Sequence, residues 1–115
     1  MKASKPVGDD RFNAIGGGKL PDGHGGYIYA SWPFVRLRLS ASRVRFEPAL
    51  WSNWITYKLP TWEASWDDLK AVTADGSRVR FIPKAGPVWT YSTLGGTDGI
   101  MAHVPLGLRE VPGPS

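Results

Sequence analysis

The stretch Val35-Arg36-Leu37-Arg38-Leu39-Ser40-Ala41-Ser42-Arg43-Val44-Arg45-Phe46-Glu47 decides the fold class. Val35, Leu37 and Leu39 alternate with Arg36, Arg38 and Ser40, the period of a strand with one buried face. Val44 and Phe46 then alternate with Arg43, Arg45 and Glu47. Reversing the chain at Ala41-Ser42 sets Leu39 against Val44 and Leu37 against Phe46 on one face. On the other face Ser40 meets Arg43, Arg38 meets Arg45, and Arg36 meets Glu47. One register that sorts apolar from polar on both strands predicts a hairpin, although Ala-Ser is not a favoured tight-turn pair.

Strand signals continue downstream. Trp54-Ile55-Thr56-Tyr57-Lys58-Leu59 reads as a strand ended by Pro60, and Val88 to Thr93 as another. Leu69 to Ala74 and Arg78 to Pro83 form a second hairpin around Asp75-Gly76, a strong turn signal. That pairing sets Lys70 opposite Phe81, so a bulge is expected to shift the register. Thr97 or Asp98 can cap a helix carrying Ile100, Met101 and Val104 on one side. Gly99, Pro105 and Gly107 limit it to about two turns.

The flanks differ in composition. Residues 1–26 hold seven of the fourteen glycines, including Gly16-Gly17-Gly18, and are read as a flexible arm. Residues 27–111 form the folded body, and 112–115 an irregular tail. The expected architecture is mainly β: a small, partly open barrel or sandwich of about five to seven antiparallel strands with one short C-terminal helix.

The chain has 115 residues, one ordinary domain. It has no cysteine and only two histidines, which excludes disulfides and thiolate metal sites, and no metal or cofactor is expected. The N-terminus carries no apolar segment of a secretory signal, and no apolar run approaches the roughly 20 residues that span a bilayer. A cytoplasmic location is the expectation. The net charge of +4 permits attraction to phosphates or anionic lipids without requiring it.

Ala30-Ser31-Trp32-Pro33-Phe34-Val35-Arg36-Leu37 resembles the opening strand of short bacterial pleckstrin-homology-like and GRAM-like domains. Trp66-Asp67-Asp68-Leu69-Lys70-Ala71-Val72 resembles the strand that in those domains runs aromatic, acidic, aliphatic, then valine. The Asp-Gly hairpin and a terminal helix follow in the order that the family shows. The resemblance covers residues 27–111 and implies a bacterial, non-enzymatic module. An OB-fold or SH3-like barrel is the alternative architecture. In eukaryotic pleckstrin-homology domains, basic residues on the first two strands grip inositol phosphates, and Arg38, Arg43 and Arg45 match that spacing loosely.

No catalytic constellation appears. Gly16-Gly17-Gly18-Lys19 lacks the spacing of a phosphate loop, and His24-Gly25-Gly26 has no nucleophile elbow to serve. Asp67 and Asp68 are adjacent, which suits local backbone hydrogen bonds in a turn better than a carboxylate pair. His103 has no partner for catalysis. The leading expectation is therefore an adaptor that contacts a protein partner, or a second copy of itself, through Trp51, Trp54 and Trp62. The alternative is a peripheral binder of anionic lipids or phosphates, at the inner face of the membrane, using Arg36, Arg38, Arg43, Arg45, Arg78 and Arg80. A second alternative is single-stranded nucleic acid held by Trp32, Phe34, Arg36 and Arg38, against which stand the small net charge and the absence of diagnostic motifs.

Overall fold

A computed structural model of the chain describes residues 10–49 and 61–110. Among them are β1 (Asp10–Pro21), β2 (Tyr27–Ser40), β3 (Arg43–Pro48), β4 (Trp62–Ser65), β5 (Leu69–Asp75), β6 (Arg78–Pro83) and β7 (Trp89–Ser92). The short helix α1 (Asp98–Met101) and the strand β8 (Arg109–Glu110) follow. All strands join one sheet in the order β4-β3-β2-β1-β7-β6-β5-β8. The pairings are antiparallel except that of β5 with β8. The chain thus runs up and down, β7 returns to β1, and the sheet stays open between its edge strands β4 and β8. This is the mainly β, partly open architecture that the sequence implies, with more strands than it suggests and one of them parallel. The candidate strand Trp54–Leu59 lies outside the described residues.

The β2–β3 hairpin has the register read from the sequence: Arg36 faces Glu47, Leu37 faces Phe46, Arg38 faces Arg45 and Leu39 faces Val44. The unfavoured Ala41-Ser42 turn is held by the Ser40 side chain. Its Oγ accepts hydrogen bonds from the backbone N–H groups of Ser42 at 3.3 Å and Arg43 at 3.1 Å. Trp66 then pins the turn from outside the hairpin. Its indole N–H donates to the Ser40 carbonyl at 3.0 Å, and its backbone N–H donates to the Ser42 carbonyl at 3.2 Å.

The glycine-rich segment read as an unpaired arm is, from Asp10 to Pro21, a central strand instead. It pairs with β2 along its length and with β7 through Gly17, Gly18 and Lys19. The glycines answer to space rather than to flexibility. A Cβ on Gly16, Gly17 or Gly18 would stand under 3.0 Å from the backbone oxygen of Ser92, Ala30 or Thr90 respectively. Opposite Gly17 the register breaks, and Ser31 to Phe34 of β2 bulge around a cis Trp32-Pro33 bond, with Trp32 looped outward and Phe34 packed against the core.

The β5–β6 turn centres on Gly76-Ser77, one position later than the Asp-Gly reading. Gly76 takes φ +64 and no described residue other than glycine has positive φ, which fits a type II′ turn. Asp75 therefore faces Arg78 and Val72 faces Phe81, so Lys70 is released to solvent. The irregularity that remains falls between Leu69 and Ala71. α1 is a single turn, shorter than the sequence suggests, and Thr97 makes no side-chain cap bond. Ile100 and Val104 are buried, and Arg109 donates to the carbonyls of Val104 and Ala102 at 2.8 and 3.2 Å.

The inner faces of the curled sheet meet around Phe46. Its ring lies 5.7 Å from Trp62, 5.5 Å from Phe81, 5.4 Å from Trp89 and 6.4 Å from Tyr91. Trp62 and Trp89 stack at 5.0 Å and 8°. Leu37, Leu39, Val44, Val72 and Val79 fill the space between. Aromatic pairs in such edge and offset geometries add to what burial alone contributes.

Two outcomes follow for chemical denaturation. Gly18→Ala is expected to cost about 3 kcal/mol, because backbone must move to admit the methyl, whereas Gly107→Ala, with open space around it, stays within about 0.5 kcal/mol. The Tyr91 hydroxyl is buried with no hydrogen-bond partner among the described residues, and burial pushes its pKa from 10.0 up to about 12. Above pH 10 the unfolded chain releases this proton and the folded one keeps it, so stability falls as pH rises towards 12, by about 2–3 kcal/mol in all. Tyr91→Phe should remove that alkaline loss and be at least as stable as the parent at neutral pH.

Candidate functional site

The six arginines singled out in the sequence fall into two places with different surroundings. Arg36 and Arg38 on β2, and Arg43 and Arg45 on β3, lie together on the outer face, opposite the side chains that enter the core. Glu47 sits among them. Its carboxylate is 3.7 Å from Arg36 Nε, 3.3 Å from Arg38 Nε and 2.7 Å from Arg45 Nε. Glu63 of β4 pairs with Arg43, and its Oε1 lies 3.2 Å from Arg45 Nη1. Arg36 also donates to Asn13 Oδ1 at 2.9 Å.

The like charges of Arg38 and Arg45, unfavourable directly across a strand pair, are thus neutralised from within. Glu47 was legible as a partner of Arg36. Glu63 was not, because its role depends on the β3–β4 pairing that sets it opposite Arg45. This patch is an internal clasp of four arginines on two glutamates.

Arg78 and Arg80 lie across the sheet on β6, where they alternate with buried Val79 and Phe81 and so point outward. Sheet pairing sets Tyr29 of β2 beside Lys19 of β1, Lys19 beside Thr90 of β7, and Thr90 beside Arg80. A second row runs from Gly17 through Ser92 to Arg78. Lys19, Tyr27, Tyr29, Ser31, Thr90, Ser92, Arg78 and Arg80 line a recess of about 630 Å³ on the outer face. Gly18 adds no side chain to it, and Thr90 is nearly covered at 7 % exposure, so the middle of the recess is low.

The recess is cationic and aromatic. Lys19 Nζ lies over the Tyr27 ring at 4.6 Å and the Tyr29 ring at 5.6 Å, within cation–π range. Tyr29 is 71 % exposed. Arg80 approaches Asp75 only at 3.9 Å, and neither Lys19 nor Arg78 forms an ion pair with a described carboxylate. Lys19, Tyr27 and Tyr29 escaped sequence reading because they belong to one site only after β1 is placed between β2 and β7. The alternation of Tyr27, Tyr29 and Ser31 was the one signal available.

The remaining candidates are placed as follows. Trp51 and Trp54 lie outside the described residues. Trp62 is half-buried and spends its ring on Trp89 and Phe46. Trp32 is exposed on the outward loop of β2, Phe34 packs against the core, and Arg36 and Arg38 belong to the clasp. Asp67 and Asp68 occupy a 3-10 turn capped by Ser65, whose Oγ accepts from the Asp67 N–H at 3.2 Å. Around His24, the Asp22 carboxylate accepts the backbone N–H groups of His24 and Gly26 at 2.6 and 3.0 Å, which holds its pKa below the ordinary value. His103 Nδ1 meets the Gly99 carbonyl at 2.8 Å, a local contact within the C-terminal turn. No helix among the described residues is long and apolar enough to cross a membrane.

No protein-family model, curated protein or solved structure matches this chain.

The clasp makes a clear prediction. Glu47 is only 16 % exposed and serves three guanidinium groups, so Glu47→Gln should cost about 1–3 kcal/mol in urea denaturation. Glu63→Gln, at a more open position, should cost less and lose its effect in high salt.

Proposed function

We propose that this domain is a non-enzymatic, pleckstrin-homology-like binding module that takes a phosphate-bearing anion in the recess across β2, β1, β7 and β6. The observation that carries the reading is the convergence of Lys19, Arg78 and Arg80 on one concavity in which Arg80 alone has a described carboxylate within 4 Å. Guanidinium groups bind phosphate oxygens in pairs of charge-assisted hydrogen bonds, and the hydroxyls of Ser31, Thr90 and Ser92 can complete the shell. The contrast with the clasp supports the choice of patch. There, Glu47 and Glu63 already occupy the donors that an outside anion would need. The run of antiparallel strands followed by one short helix supports the family resemblance. Contact with a protein partner through the tryptophans is the less supported reading, since Trp62 is engaged in the core.

The phosphate can belong to a lipid headgroup or to a free ligand. Co-sedimentation with phosphatidylserine vesicles, beside phosphatidylcholine vesicles and a calorimetric titration with tripolyphosphate, separates those sources. Arg78→Gln with Arg80→Gln is expected to weaken whichever probe binds by about tenfold or more, while Arg43→Gln leaves it unchanged. Equal losses from both substitutions, or failure of vesicles, tripolyphosphate and a short oligonucleotide alike to bind, would overturn the proposal.

A further inference from the structure

Building on that reading, the geometry points to a particular occupant of the recess: a single-stranded nucleic acid, with its phosphates on Arg78, Arg80 and Lys19 and its bases stacked on Tyr27 and Tyr29. Two kinds of group lie side by side here. The cations are on β1 and β6, and the exposed rings are on β2, all within one lining. A lipid headgroup, a phosphoserine or a phosphothreonine uses the cations and offers nothing planar to the rings, and a phosphotyrosine offers one ring where two are exposed. A nucleotide strand uses both, since every base has a π-face and every link carries a charge. A duplex hides those faces inside its own stack.

The dimensions agree. Tyr29 and Arg80 lie three strand spacings apart in one lateral row, about 14 Å at roughly 4.8 Å per spacing. That is the length of about four stacked nucleotides at about 3.4 Å each. The row places the rings at one end, Lys19 beside them and the arginines at the other end. Lys19 over the two rings also restrains them before any ligand arrives. The polar middle of the recess, Thr90, Ser92 and Ser31, suits sugar and base edges of any sequence. The chain's net charge of +4 gives little hint of this, because it averages the neutralised clasp with the open recess.

The test is fluorescence anisotropy of a labelled oligothymidine of about eight nucleotides with the full chain, at about 50 and about 200 mM salt. Binding should weaken steeply with salt, and Arg78→Gln should reduce the logarithmic salt slope by about 0.7. Tyr29→Leu should weaken binding roughly five- to a hundredfold with the slope unchanged, whereas Tyr29→Phe binds as the parent does. At 71 % exposure Tyr29 contributes little to folding, and a matching urea transition for Tyr29→Leu verifies that. Unchanged affinity of Tyr29→Leu, or equal binding of a duplex of the same length, overturns the nucleic-acid assignment while leaving the anion site standing. Binding of phosphatidylserine vesicles without binding of the oligonucleotide does the same and gives the recess to lipid. Failure of the oligonucleotide, the vesicles and tripolyphosphate together overturns both proposals.

Discussion

Everything in this fold depends on how closely three backbones approach at Gly16, Gly17 and Gly18. The β2–β4 meander and the β5–β7 meander each bury one face, and neither has a core without the other. β1 joins them by bonding to β2 on one side and β7 on the other. That junction leaves no room for a side chain at three successive positions. Once it forms, the sheet can curl until Phe46 of β3 meets Phe81 of β6 and Trp89 and Tyr91 of β7. The recess on the outer face crosses the same seam, so the steric rule that assembles the core also assembles the site.

Two arginine pairs with the same local pattern meet opposite fates. Arg43-x-Arg45 and Arg78-x-Arg80 both alternate with buried residues on antiparallel strands. The first gains Glu47 from its own strand and Glu63 from the next. Among the described residues the second has only Asp75, at the far limit of an ion pair with Arg80. Local sequence sets which way these side chains point; the neighbouring strand sets whether their charge is still available to a ligand.

The same distinction explains which parts of the structure could be read in advance. The β2–β3 register was legible in full because Leu37, Leu39, Val44 and Phe46 mark one face and the arginines the other. The second hairpin was legible as a hairpin, but its register depended on whether Gly76 opens or closes the turn. β1 was invisible for a physical reason. Periodicity is carried by side chains, and a strand whose middle is Gly-Gly-Gly has none to alternate. With β1 unread, Lys19 could not be set beside Tyr29 and Thr90. The arginines of β6 then appeared as a minor echo of those on β2 and β3, when they are the more open set.

The return of β7 to β1 bears on the order in which the chain assembles. β1 and β2 are neighbours in sequence and can pair early. The far edge of β1 finds its partner only when Thr90, Tyr91 and Ser92 arrive, near the end of the described chain. Contacts between such distant segments slow folding, because a long loop must close before they contribute. As the protein is synthesised, a glycine strand with one open edge therefore waits for β7, and until then its backbone amides are open to pairing with a wrong neighbour.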